Sequence, residues 1–269
     1  MKTNLTRTRL IPLLFLAIVA ASADQVIAVE PQPQAHAHND YEHKRPLLDA
    51  LDHGFCSVEA DVFAIDGELR VAHFRVATKP GRTLEKLYLD PLKERVTKNN
   101  GSVYEDPRPF MLLIDFKTDG AKIYKLLKQS LAKYPELFAR QGGQKHAPIS
   151  IVISGDRPVD LICKDEDRIC GIDGRIGDLD SRLSRSEMPL ISDNWRSHFK
   201  WRGNNEIPAD ELAKLKEVVT KAHNAGRRVR FWATPEKETV WKILADAGVD
   251  HINTDKLAAL EKFLKDRKE

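Results

Sequence analysis

Hydrophobic residues along the chain come in short β-rich runs separated by longer amphipathic stretches, and this alternation sets the expected fold. The runs lie at 35–38, 57–63, 111–116, 149–154, 168–172, 190–192, 228–232 and 251–254, which predicts eight strands. The stretches between them carry helix signals. Pro208-Ala209-Asp210-Glu211 opens one with acids in its first turn, Leu212, Leu215, Val218, Val219 and Ala222 line one face, and Gly226 ends it. Residues 123–134 before Pro135 and 239–247 before Gly248 read in the same way. Strands alternating with helices form parallel βα units, and eight of them predict an α/β fold closed into a single (β/α)8 barrel. The competing architecture is an open doubly wound sheet. Its usual glycine-rich phosphate loops, G-x-G-x-x-G and G-x-x-x-x-G-K-[ST], do not occur. The stretch 83–97, bounded by the turns Lys79-Pro80-Gly81 and Asn99-Asn100-Gly101, belongs to an insertion between the second and third barrel strands.

Composition agrees with one folded domain. With 269 residues, 42% hydrophobic and 31% charged, the chain is neither disordered nor collagen-like. Residues 1–23 stand apart: Lys2, Arg7 and Arg9 precede an apolar run at 10–21, and Ala21-Ser22-Ala23 offers a small-x-small cleavage site, the pattern of a secretory signal peptide. The run is short against the ~20 residues of a membrane span. These features predict an exported protein, periplasmic or secreted, cut near Ala23. Residues 24–34, with Pro31 and Pro33 and no helical period, read as an extended leader, which leaves 35–269 for the barrel domain. Loss of the signal removes Lys2, Arg7 and Arg9 and no acid, cancelling the formal charge of +3. A neutral chain has no electrostatic footprint for nucleic acid and no polybasic membrane patch. Of the three cysteines, Cys163 and Cys170 are spaced to close a short disulfide loop in an oxidising compartment, while Cys56, inside an apolar run, reads as a buried thiol.

In a parallel barrel the carboxyl ends of the strands converge on one mouth, so the polar residues ending each run are the candidates for chemistry. His36 and His38 end the first run, Glu59 and Asp61 the second, Asp115 and Lys117 the third, Asp193 and Asn194 the sixth, Trp232 the seventh, and Asn253 and Asp255 the eighth. Glu59 and Asp61, two residues apart on a strand, share one face. With Asp115 from the next strand they supply three oxygen-bearing ligands for one divalent cation, Mg2+ or Ca2+, and leave positions for water and substrate oxygens. His38 and His73 flank this set, His73 ending a short run at 69–72 after the turn Ile65-Asp66-Gly67. Two imidazoles beside a metal suit acid/base cleavage of a phosphate ester, one deprotonating the attacking hydroxyl and the other protonating the leaving oxygen. Lys117, two residues beyond Asp115, suits a non-bridging phosphate oxygen. His53, His146, His198, His223 and His251 read as structural, and Trp195 and Trp201 serve either lipid contact or loop packing.

The segments His-Ala-His-Asn-Asp-Tyr at 36–41, Ser-Val-Glu-Ala-Asp-Val at 57–62, Val-Ala-His at 71–73, Leu-Ile-Asp-Phe-Lys at 113–117, Arg-Phe-Trp-Ala-Thr at 230–234 and Ile-Asn-Thr-Asp-Lys at 252–256 together resemble the PLC-like phosphodiesterase superfamily. Within it the chain is most similar to the altered-inheritance-of-mitochondria protein 6-like branch, and more distantly to glycerophosphodiester phosphodiesterases and venom sphingomyelinase D. The resemblance implies a TIM barrel, His38 and His73 as the catalytic histidines, and Glu59, Asp61 and Asp115 as ligands of Mg2+ or Ca2+. It further implies that Lys117 and Trp232 line the substrate pocket. The implied reaction cleaves a phosphodiester at the metal, often through a neighbouring substrate hydroxyl that leaves a cyclic phosphate. Asn39 stands where glycerophosphodiesterases place an arginine on the phosphate and joins the substrate-binding set; their E-N-T element and the sphingomyelinase D tail are absent. His36 is expected behind these residues, orienting His38 or the metal-bound water.

The expected function is therefore an exported, divalent-metal-dependent phosphoric diester hydrolase. Its expected partners are a small phosphodiester or a phospholipid, with peripheral contact to membrane lipid, no nucleic acid and no protein partner indicated. Two alternatives stay open. His36-x-His38 read as a metal pair gives a Zn2+ or Mn2+ hydrolase, although acids, Asn and Trp occupy the strand ends where such sites place further histidines. The other alternative is a barrel that binds a phosphorylated ligand or lipid headgroup without turnover.

Overall fold

Eight parallel strands close on themselves in the order β1 (Gln32–Ala37), β2 (Phe55–Ile65), β4 (Phe110–Phe116), β5 (Ile149–Gly155), β6 (Cys170–Gly174), β7 (Leu190–Asn194), β8 (Arg228–Trp232) and β9 (His251–Thr254), with β9 returning to β1. The short β3 (Glu68–Val71) folds back antiparallel on the end of β2 through the turn at Asp66 and Gly67. The computed structural model describes residues 29–138 and 147–268. The expected signal at 1–23 and His146 lie outside the described residues. Each predicted run becomes a strand. The helices are α1 (Leu48–Asp52), α2 (Asp90–Lys98), α3 (Gly120–Leu131), α4 (Val159–Cys163), α5 (Trp195–His198), α6 (Ala209–Asn224), α7 (Glu238–Asp246) and α8 (Leu257–Asp266). The insertion predicted at 83–97 is a π-helical turn, Glu85–Leu89, running into α2.

The pleat sorts side chains into two environments. Leu112, Ile114 and Phe116 of β4 point outward and pack in the large core shared with Ile123, Leu127 and Leu131 of α3. The alternate residues Met111 and Leu113 point inward and, with Val152 and Leu190, form a small separate apolar cluster that fills the barrel below its mouth. Truncating such a buried leucine to alanine costs about 2–5 kcal/mol. The next inward residue on β4 is Asp115, one pleat above this floor, in register with Asp61 of β2 and Ser154 of β5. The switch from apolar to polar along the inner face marks the mouth.

Three local expectations change. The leader ends sooner than residue 34, because Gln32 already lies in β1: its N–H donates to the Gly54 carbonyl at 2.7 Å and it pairs with Phe55. Barrel closure supplies the partner that makes a polar, proline-flanked segment a strand. All three cysteines are free, so the suggested Cys163–Cys170 disulfide is not formed; Cys163 ends α4 while Cys170 is buried at the start of β6. Burial pushes both the Cys56 and Cys170 thiols up to about 12, leaving them unreactive. Trp195 and Trp201 are packing residues, both buried, with Trp195 stacked on Phe199 at 4.0 Å and its indole N–H donating to the Trp201 carbonyl.

Candidate active site

Glu59, Asp61 and Asp115 present carboxylate oxygens that all lie within 4.8 Å of one another, the one group of its kind among the described residues. Strand geometry brings them together: Glu59 and Asp61 share the inner face of β2, and Asp115 is the register partner of Asp61 on β4. Each acid has a different balance of forces. Burial would raise Glu59, but the Arg230 guanidinium, donating to Oε2 at 2.6 Å, outweighs it and holds that carboxyl well below the usual range. Burial, reinforced by the Glu59 charge, pushes Asp61 up despite Lys117. Burial likewise pushes Asp115 up to about 6 against the pull of Lys117.

Lys117 Nζ sits 2.6 Å from Asp61 Oδ2 and 3.2 Å from Asp115 Oδ1, and these two acids overcome burial to raise its pKa. The Tyr41 hydroxyl lies 2.5 Å from the same Asp61 Oδ2, 2.7 Å from Asn39 Oδ1 and 3.0 Å from His73 Nδ1. Asp61 Oδ1, by contrast, is buried without a hydrogen-bond partner among the described residues. An orphaned carboxylate oxygen beside two further carboxylates is a donor set that fits a hard divalent cation.

The two histidines expected at the mouth are there. His38 is a quarter exposed, and its Nδ1 lies 2.8 Å from Asp255 Oδ1, beyond the end of β9. His73 is more open, with Nδ1 3.1 Å from Asp61 Oδ2 and its ring edge-on to exposed Phe74. Asn39 takes a left-handed backbone conformation, φ 46, which carries the chain from β1 into the turn that delivers Tyr41. His36 is fully buried beneath the mouth, with Nδ1 2.6 Å from Ser57 Oγ and Nε2 3.5 Å from Glu59. Burial, then Arg230, brings it down to about 3, so it is neutral. Neither His36 nor His38 joins the carboxylate cluster among the described residues. Trp232 is on another part of the rim, where its ring receives the Arg175 guanidinium at 4.9 Å.

Three residues at this site went unassigned in the sequence. Tyr41 lies within the motif at 36–41, between Asp40 and Glu42, but not at a strand end, the place that marks a candidate for chemistry. Asp255 was visible only as a polar strand end. Arg230 had a clearer signal, a cation at an inward position between apolar neighbours; it is 2% exposed and also donates to Asn253 Oδ1 at 2.9 Å.

The fold is a closed parallel TIM barrel, and its mouth gathers three carboxylates between two histidines, an arrangement that suits metal-assisted chemistry on an ester. The match to known proteins is narrower than that. The AIM6-like phosphodiesterase domain matches residues 24–170, more than half the chain, and the protein belongs to that family. The glycerophosphoryl diester phosphodiesterase family matches residues 228–258. Altered inheritance of mitochondria protein 6 of Eremothecium gossypii is 29% identical over 86% of this chain and 69% of its own length. The homolog from Arthroderma benhamiae is 26% identical over 89% and 86%. A glycerophosphodiester phosphodiesterase from Parabacteroides distasonis, 15% identical, superposes with a TM-score of 0.55 over 89% of this chain and all of that one, a likeness of fold.

These relatives correct the expectation of export. Their name ties them to the inheritance of mitochondria, which points away from a secreted or periplasmic setting. Among the described residues no helix is long and apolar enough to cross a membrane.

Proposed function

We propose that the protein is a divalent-metal-dependent phosphoric diester hydrolase whose acid/base pair is His38 and His73. The observation that carries this reading is the Glu59, Asp61 and Asp115 cluster, with Asp61 Oδ1 unpartnered, set between the two imidazoles. Mg2+ or Ca2+ held by those three carboxylates would polarise the scissile P–O bond and neutralise charge on the phosphoryl oxygens. His38, held by Asp255, takes the proton of the attacking hydroxyl or water. His73 returns a proton to the leaving oxygen, and its contacts with Tyr41 and Asp61 keep the ring in place. Lys117 places its ammonium on a non-bridging oxygen, Asn39 offers its amide at the same rim, and Trp232 walls the far side of the pocket. His36 and Arg230 position Glu59 from below.

Phosphodiesters, either small and soluble or lipid-borne, are the substrate class. Peripheral lipid contact is supported by the loop after β3, where Phe74 is 64% and Val76 97% exposed next to His73. The deciding experiment is hydrolysis of bis(p-nitrophenyl) phosphate and of glycerophosphodiesters, with EDTA and with Mg2+, Ca2+ or Mn2+ restored, alongside His38→Ala. Metal-dependent release that the variant lacks supports the reading. Stabilisation of the protein by phosphate ligands with no product from any diester would favour a binding-only barrel instead.

A further inference from the structure

The rim opposite the carboxylates carries an arrangement that metal-assisted hydrolysis does not require. Asp173, inward on β6 and fully buried, accepts at Oδ2 from Ser154 Oγ at 2.8 Å, Ser192 Oγ at 2.6 Å and Arg175 Nη1 at 2.8 Å. Arg175, 27% exposed, lies over the Trp232 ring. Arg157, in the turn after β5, donates to the Asp173 backbone carbonyl. Among the described residues Asp173 is the one carboxylate within ion-pair distance of Arg175, and Arg157 has none. Two half-buried guanidiniums thus share one buried acid whose Oδ2 already takes three donors, and Asp178 beside them accepts from the Arg175 backbone N–H at 2.8 Å.

The position is fixed by the fold. Gly155, at φ +71, passes so close to β4 that a Cβ there would lie 2.6 Å from Asp115 Oδ1 and 2.3 Å from the Phe116 carbonyl. The Asp156 N–H donates to that carbonyl at 2.8 Å, and the Asp156 side chain accepts from the Gly120 N–H at the start of α3. Arg157 therefore leaves a pinned turn directly beside Asp115. Asp115 and Asp173 stand two strand spacings apart, roughly 10 Å. A substrate phosphate at the carboxylates would leave its far end at the arginines, whose planar forks match a carboxylate or phosphate in two-point contact.

Resting on the phosphodiesterase reading of this mouth, we propose that Arg157 and Arg175 bind a second anionic group of the substrate, a carboxylate or phosphomonoester, and so select phosphodiesters that carry an extra negative charge. Trp232 stacks Arg175 into the fork orientation, and Ser154 and Ser192 hold Asp173 as its anchor.

Two measurements test this separately from turnover. In steady-state kinetics the wild type should favour glycerophosphoserine over glycerophosphoethanolamine, which lacks the carboxylate, by about tenfold or more in kcat/KM, and Arg157→Gln should bring the ratio near one, chiefly through KM. In calorimetry with EDTA present, inorganic phosphate should bind the wild-type protein, Arg157→Gln should weaken it about tenfold, and the same charge change at exposed Lys125 of α3 should leave it unaltered. Equal kcat/KM for the two diesters, or phosphate affinity indifferent to Arg157, overturns the proposal. If no diester is hydrolysed, bis(p-nitrophenyl) phosphate included, the phosphodiesterase reading falls, while the calorimetry still decides whether the arginine pair is an anion site.

Discussion

On β2 and β4 the barrel mouth presents acids, with Lys117 and Arg230 as their partners; on β5 to β7 two arginines gather around buried Asp173, while Asp193 is engaged by the Ile176 N–H and His198. Asp61 and Asp173 occupy comparable places. Each is buried, each accepts several contacts at Oδ2, and each leaves Oδ1 without a partner. They differ in company: Asp61 has two further carboxylates within 4.8 Å, whereas Asp173 has serines and guanidiniums. An orphaned buried oxygen alone does not define a cation site. Burial, reinforced by repulsion from the neighbouring acids, leaves Asp61 and Asp115 raised above the usual range, a cost that a bound cation would reduce, while the other arc offers two guanidiniums to an anion.

The contrast breaks most severely at Asp61. Asp61→Asn, or removal of the metal, is expected to lower diester hydrolysis about 10⁴-fold or more, with the divalent-ion binding isotherm lost in the same variant. His38→Ala and His73→Ala follow, each costing roughly 10²–10⁴-fold in kcat. Their far-ultraviolet circular dichroism should match the wild type, since both side chains are partly exposed at the mouth. Full activity in both variants would remove the acid/base pair.

Stability separates the two arcs next. Arg230→Met leaves buried Glu59 without its guanidinium and should cost about 3–5 kcal/mol in denaturant unfolding. Arg175→Met leaves Asp173 two serine donors and a more open rim, so about 1–2 kcal/mol is expected. Equal losses would mean that the arcs do not differ in burial of charge.

Proton competition sharpens the cation side. Asp115, pushed up to about 6 by burial, must release its proton before holding an ion. Ion affinity should be full above that pH and fall about tenfold per unit below it, where a surface carboxylate would hold its ion to roughly pH 4. Calorimetric Mg2+ and Ca2+ titrations across that range check the sign. The smallest effect lies outside both arcs: Val76→Ser should weaken association with phospholipid vesicles only a few-fold, with hydrolysis of a soluble diester unchanged.

Much of this was legible in the chain. The strand runs, the Glu59-x-Asp61 pair and the Asp115-x-Lys117 pair follow from two-residue alternation, which depends only on neighbours in sequence. That spacing says which side chains share a face, and in a parallel barrel it also says which reach the mouth. Local patterns misled where tertiary context supplied the missing partner, as for Gln32 entering β1, or withheld it, as for Cys163 and Cys170. The signal-like segment suggested export, but the relatives argue against it.

What the sequence alone determined is the order of strands and the inward acids and histidines of each. Only the closed barrel decided who meets whom. Arg230 reaches Glu59 across 171 residues, and Asp255 reaches His38 across 217. The charges on Glu59, Asp61 and Asp115 diverge because burial and neighbouring cations differ at each site. Such energies depend on distances through space, and those are set when β9 closes against β1.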